Sequence, residues 1–75
     1  MSLYEMVPDG FHGGSDVTDN LITWVQAPSV EAVAEFKRKI SFEGDYYKIM
    51  DNPPDDLNGV DFVIDELGEI IDRRA

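Results

Sequence analysis

The sequence predicts an α+β fold: a small sheet of about three strands with two helices packed on it, the second helix C-terminal and acidic. Short runs rich in β-branched and aromatic residues indicate the strands, and two longer runs with apolar residues at helical spacing indicate the helices. The length of 75 residues, 43% of them apolar, suits a single domain over 1–75 with a thin core.

Three stretches have the pattern of strands. Leu3–Val7 alternates apolar and polar residues, and turn-forming residues follow it. Leu21–Gln26 is dense in β-branched and aromatic residues on both faces, which predicts a central strand. Asp45–Met50 is the third, and the prolines of "DNPPDD" end it. Between the first two, Gly10–Asn20 holds three glycines and reads as a flexible loop.

The first predicted helix extends from Ser29 to Ile40. Ser29 is a suitable N-cap, Glu31 suits the positive end of the helix dipole, and three consecutive bases suit its negative end. The strand–helix–strand portion around it is expected to be a right-handed parallel crossover, with a wholly antiparallel arrangement as the alternative.

The second predicted helix covers Gly59–Arg73. At about 100° per residue, six apolar positions fall within an arc of about 120°. They are Val60, Val63, Ile64, Leu67, Ile70 and Ile71. A strand remains the alternative, because Val60, Phe62 and Ile64 would then share one face. Gly68 also disfavours the helix by about 1 kcal/mol relative to alanine.

Charge is the most unusual property of the chain. Sixteen acids against six bases give a formal net charge of −10. This balance argues against direct binding to nucleic acid or to anionic lipid, and it favours a basic partner. The alternative is an ordinary solvated surface that maintains solubility. The N-terminus has no secretory signal pattern, and no run approaches the roughly 20 apolar residues of a membrane span, so we expect a cytoplasmic protein.

No pattern of catalytic or metal-binding residues is recognisable. His12 is the only histidine and has no nucleophile context, so it reads as a surface or turn residue. A calcium loop aligned on Gly59 would place Pro54 at the first ligand position, where an EF-hand needs an oxygen ligand, so a dedicated EF-hand is rejected. Ser15 lacks the Asp-Ser-Leu motif that acyl carrier proteins modify. With no cysteine present, thiolate chemistry is excluded as well. The sequence therefore predicts no enzyme, no cofactor and no metal.

The acidic residues of the second predicted helix form a candidate binding face. Asp61 and Asp65 would lie about 6 Å apart along the helix axis, roughly the spacing of successive phosphates. Phe62, exposed among the acids, would anchor a partner; the alternative is that it packs against the "NPPDD" loop or the N-terminal segment. The predicted partner-binding residues are Asp61, Phe62, Asp65, Glu66, Glu69 and Asp72, extended by Asp51, Asp55 and Asp56.

In its size, acidity, lack of cysteine and expected charge arrangement, the chain resembles phage-encoded inhibitors that imitate nucleic acid, among them anti-CRISPR and anti-restriction proteins. The resemblance is to a class of proteins and rests on no motif. It implies a non-enzymatic DNA mimic, acting in the host cytoplasm, that binds the basic surface of a CRISPR effector complex or another nucleic-acid-handling enzyme. The alternatives are an antitoxin or immunity-type protein and an accessory subunit of a larger assembly.

Overall fold

Five strands and one helix make up the computed structural model, which describes residues 1–10 and 22–74. The elements are β1 (Ser2–Pro8), β2 (Thr23–Ala27), α1 (Val30–Lys39), β3 (Gly44–Asp51), β4 (Phe62–Ile64) and β5 (Ile70–Asp72). The strands form one mixed sheet in the order β3-β1-β2-β4-β5. The predicted fold class is therefore wrong, since residues 1–10 and 22–74 are mostly β with a single short helix. The predicted loop at 10–20 lies, apart from Gly10, outside the described residues.

The first helix and the three predicted strands are present, with bounds that differ by one or two residues. Ser29 caps α1, because its Oγ accepts a hydrogen bond from the Ala32 N–H at 3.3 Å. Glu31 lies in the first turn and the three bases lie in the last turn. These charges complement the helix dipole as the sequence indicates.

The second predicted helix is absent, and a β-hairpin takes its place. β4 pairs in parallel with β2, and β5 pairs antiparallel with β4. Five β-branched residues between Val60 and Ile71 favour extended backbone. Gly68 has a φ of +84°, which suits the hairpin turn and not a helix. The free edge of β2 then supplies hydrogen-bond partners for β4, so the strand alternative for Phe62 and Ile64 is correct.

The strand directions decide where the loops lie. β2, β3 and β4 run parallel to one another, and β1 and β5 run the opposite way. β2 and β3 are joined through α1 as a crossover, but β1 lies between them, so they are not neighbours. The connection 52–61 returns across the other face, where Leu57 and Val60 line a cavity together with Leu3 and Trp24. The connection through α1 and the connection 52–61 cross the sheet in opposite directions and lie on opposite faces. This is the arrangement expected when both crossovers are right-handed.

The main core lies between α1 and one face of the sheet. Val33 and Phe36 of the helix are buried there against strand residues. The buried strand residues in this cluster are Tyr4, Met6, Val25, Ala27 and Ile64. The opposite face has no helix on it within the described residues. No helix in the described part of the chain has the length and apolarity to span a membrane.

Candidate interaction surface

Acidic side chains collect at one end of the sheet. Because β2, β3 and β4 are parallel, their carboxyl ends meet at the same end of the sheet. Asp51 ends β3, and the turn Asp65–Glu69 follows β4. Asp55 lies there too, since it borders a depression with Gln26 near the end of β2. We call this region the acidic end; its acids are Asp51, Asp55, Asp56, Asp65, Glu66 and Glu69.

The opposite end of the sheet holds most of the bases. As the crossover helix between two parallel strands, α1 runs back, so its last turn with Lys37, Arg38 and Lys39 lies at that opposite end. Arg73 and Arg74 follow β5 and lie there as well. Lys48 in β3 is the exception, and its Nζ lies 3.1 Å from Asp51 Oδ1. Asp9, Glu43, Asp45, Asp61 and Asp72 also lie at that opposite end, so its charge is mixed. In the described part of the chain, Lys48 is the one Lys or Arg near the acidic end.

Four carboxylates of the acidic end are exposed and without an internal cation. Asp55, Asp56, Glu66 and Glu69 have no Lys or Arg nitrogen within 4.0 Å in the described part of the chain. Asp51 differs, because hydrogen bonds from Lys48 and then from the Ser2 hydroxyl lower its pKa below the ordinary 3.8. The four exposed groups are thus free to pair with an external cation.

Asp65 shapes the turn between β4 and β5. Its Oδ1 accepts hydrogen bonds from the N–H groups of Leu67 and Glu69, both at 2.9 Å. Its backbone N–H donates to the Glu69 carbonyl at 3.0 Å, and its carbonyl accepts from the Gly68 N–H at 3.0 Å. These bonds fix the backbone of the turn that carries Glu66 and Glu69.

Asp61 joins three strands. Its Oδ2 accepts from the Trp24 N–H at 2.8 Å, and its own N–H donates to the Trp24 carbonyl at 2.8 Å. Its carbonyl accepts from the Arg73 N–H at 2.8 Å. The predicted 6 Å helical spacing between Asp61 and Asp65 is wrong, because both flank a strand, in which the rise is about 3.3 Å per residue. Asp61 lies at the start of β4, away from the acidic end.

Replacing Asp61 with alanine is expected to lower the free energy of unfolding by about 1–3 kcal/mol, because the partly buried Trp24 N–H would lose its side-chain acceptor. Asp61→Asn should cost clearly less, since the amide oxygen can still accept. Urea denaturation followed by circular dichroism measures both. An asparagine variant as unstable as the alanine variant would contradict this role.

Phe62 and Asp72 are both engaged within the protein. The Phe62 ring centroid lies 4.9 Å from that of Phe36, and the Arg74 guanidinium lies 4.6 Å from the Phe62 centroid. Phe62 is therefore half-buried against α1 and is not the exposed ring that a C-terminal helix would present. Asp72 pairs with Arg74 at 3.0 Å, and hydrogen bonds from the Arg74 side chain and backbone lower its pKa. Both residues lie towards the opposite end of the sheet, away from the acidic end.

Comparison with known proteins adds no family to this description. No family model, curated protein or solved structure matches this chain. In residues 1–10 and 22–74, no group of three or more His, Cys, Asp or Glu side chains is placed to hold a metal ion. His12 and Ser15 lie outside the described residues.

An apolar groove, which the sequence analysis did not identify, lies on the helix-free face of the sheet. It encloses about 290 Å³. Its apolar lining comes from Leu3, Trp24, Ile49, Met50, Leu57 and Val60. Ile49 and Met50 remain 44% and 40% exposed. One signal in the sequence could have indicated this groove: β3 has large apolar residues on both faces. One polar face is expected of such an edge strand in an antiparallel pair.

Proposed function

We propose that this protein is a non-enzymatic inhibitor whose acidic end binds the basic, nucleic-acid-binding surface of a partner protein. The observation that supports this most is the collection of unpaired carboxylates at the carboxyl ends of β3 and β4. A net charge of −10 alone would not favour any one surface. Most bases lie at the opposite end of the sheet and offset the acids there, so the acidic end is the strongly negative surface.

The mechanism is competition with nucleic acid. Asp55, Asp56, Glu66 and Glu69 occupy positions that phosphates would take and pair with Lys and Arg of the partner. Each exposed pair contributes little, so the effect is collective and weakens with salt. Because the bases at the far end offset the acids there, the acidic end gives the molecule a charge asymmetry that orients it during approach. A CRISPR effector complex or another nucleic-acid-handling enzyme has a surface of the required kind.

The other predicted site residues do not contact the partner directly in this proposal. Asp65 positions the turn through its hydrogen bonds to Leu67 and Glu69. Asp61, Phe62 and Asp72 have their functional groups engaged by other parts of the chain, so this proposal gives them no direct contact with the partner.

The test is a pull-down from nuclease-treated host lysate at about 0.1 M and about 0.5 M salt, which spans weak and strong screening. The bait variant is the triple charge reversal Asp55→Lys, Glu66→Lys and Glu69→Lys. The wild-type chain should recover a nucleic-acid-handling partner at the lower salt and release it to added DNA or RNA. The triple variant should recover at least about tenfold less, a loss of about 1.4 kcal/mol.

The matched control reverses three exposed acids at the other end of β1 and β3: Asp9→Lys, Glu43→Lys and Asp45→Lys. Both variants have the same net charge, so only the position of the change differs. The control should retain the partner. Equal loss in both variants would show that net charge suffices, and no loss in either would overturn the proposal.

A second candidate, an accessory subunit of a larger assembly, is favoured by the exposed apolar residues of β3. Tyr47, Ile49 and Met50 are 52%, 44% and 40% exposed on an edge strand. Such a subunit would be held mainly by apolar contacts. Recovery of a partner that resists the higher salt and has no nucleic-acid role would favour this candidate.

A further inference from the structure

We infer that the apolar groove on the helix-free face receives one bulky apolar side chain from a partner segment whose flanking residues are Lys or Arg. The inference rests on the proposed function, because it specifies the chemistry of the basic partner. The inference concerns a different surface from the proposed function. The acidic end supplies charge, and the groove supplies an apolar contact.

The size and lining of the groove define the occupant. About 290 Å³ is at the lower limit of small-molecule sites, so the groove suits one or two side chains and not a large cofactor. Trp24, Ile49 and Leu57 line it, and no Lys or Arg does. Apolar residues that line a concave surface and remain exposed mark interaction sites. An aliphatic or aromatic side chain is therefore the matching ligand.

The charges around the groove define the flanks of that ligand. Asp55 and Asp56 directly precede the lining residue Leu57, and Asp55 borders a depression with Gln26, which lies opposite the lining residue Leu3 in the β1–β2 register. Glu5 lies opposite Trp24 in the β1–β2 register and opposite Tyr47 in the β1–β3 register. Paired residues project to the same face, so the half-buried Glu5 carboxylate lies on the groove side of the sheet.

These charges exclude some occupants and favour another. A second copy of this chain would bring a further net charge of −10 to a surface already bordered by acids. A neutral apolar segment would leave those acids without partners. A segment with an apolar residue between Lys or Arg residues satisfies both the lining and the border, as in interfaces with an apolar centre and a polar rim.

Trp24 provides a direct readout, because it is the only tryptophan in the chain and lines the groove. The probes are three synthetic peptides: acetyl-Lys-Lys-Leu-Lys-Lys-amide, the same peptide with serine in place of leucine, and the leucine peptide with glutamate in place of every lysine. Only the first should change the Trp24 emission at saturation. An equal change with the serine peptide would show binding by charge alone and would overturn the inference.

A matched pair of variants locates the binding. Ile49→Thr changes a groove residue that is 44% exposed, and Ile40→Thr makes the same change at the end of α1, where Ile40 is 45% exposed. Ile49→Thr should weaken binding of the leucine peptide about five- to tenfold, the effect of one or two lost methylene contacts. Ile40→Thr should leave it unchanged. Equal effects in the two variants would also overturn the inference.

The two proposals fail in different ways. If Ile49→Thr leaves peptide and partner binding intact while the charge reversals at residues 55, 66 and 69 abolish the latter, the proposed function stands and the groove has no part in it. If the charge reversals have no effect while Ile49→Thr weakens partner binding, the groove binds a partner but nucleic-acid mimicry is wrong.

Discussion

Replacing Phe36 with alanine is expected to lower the free energy of unfolding by about 3–5 kcal/mol, the range for buried Phe→Ala changes. Phe36 is 2% exposed and packs against Phe62, so the substitution would leave a cavity between α1 and the sheet. A chain of 75 residues has a total stability of only about 4–11 kcal/mol at the usual 0.05–0.15 kcal/mol per residue. Urea denaturation at 25 °C, followed by circular dichroism, measures the loss.

Val30→Ala is the control for this change, because Val30 lies on the same helix and is 46% exposed. It should alter the free energy of unfolding by no more than about 0.5 kcal/mol. A cost below about 1 kcal/mol for Phe36→Ala would contradict the packing of α1 on the sheet. The double variant with Phe62→Ala should cost less than the sum of the single changes, since the two rings contact each other.

Replacing Gly44 with alanine is expected to cost about 3 kcal/mol or more, at or above the upper end of overpacking effects. Gly44 is buried and lies opposite Pro8 in the β1–β3 register. An added Cβ would overlap the Val7 carbonyl oxygen and lie 2.8 Å from Pro8 Cα. Both are backbone atoms, so relief requires β1 and β3 to separate. Urea denaturation should show the loss, and proton NMR should show altered β1–β3 contacts.

Gly68→Ala is the control for Gly44→Ala, because it has the backbone cost of replacing a glycine without a steric clash. Gly68 has a φ of +84°, but an added Cβ there would have no neighbour within 4 Å. Its replacement should therefore cost only about 1–2 kcal/mol, the penalty of the left-handed region for an L-residue. If Gly44→Ala costs no more than Gly68→Ala, the close approach of β1 and β3 at this point is wrong.

Local signals predicted α1 correctly because they act within a few residues. The Ser29 hydroxyl reaches only to Ala32, and the charges of Glu31 and the last turn act on the nearest helix end. The segment from Val60 to Ile71 has no such decisive local signal, since its apolar residues fit both a helical stripe and strand alternation. Its structure depends on the free edge of β2 and on a bond between Asp61 and Trp24, 37 residues apart.

The acidic residues of the candidate site could be found in the sequence, but their positions could not. Asp55, Glu66 and Glu69 come together because β3 and β4 end at the same end of the sheet, which follows from strand directions. The prediction that Phe62 is an exposed anchor was wrong for the same reason: as part of β4, the ring faces α1 and contacts Phe36. The groove depends on a connection that crosses a sheet face, and no short-range pattern indicates such a crossing.

The position of β1 between β2 and β3 has a consequence for how fast the protein folds. β1 pairs with β2 and with β3, and its contact with Asp51 joins residues 49 positions apart. Closing such long loops costs entropy before any pairing energy is gained, so sheets of this kind fold in milliseconds to seconds, not microseconds. During synthesis, β1 lacks its second neighbour until Asp51 has left the ribosome. The surface that we propose to bind a partner includes residues 51–69, so it can form only after β3 has been synthesised.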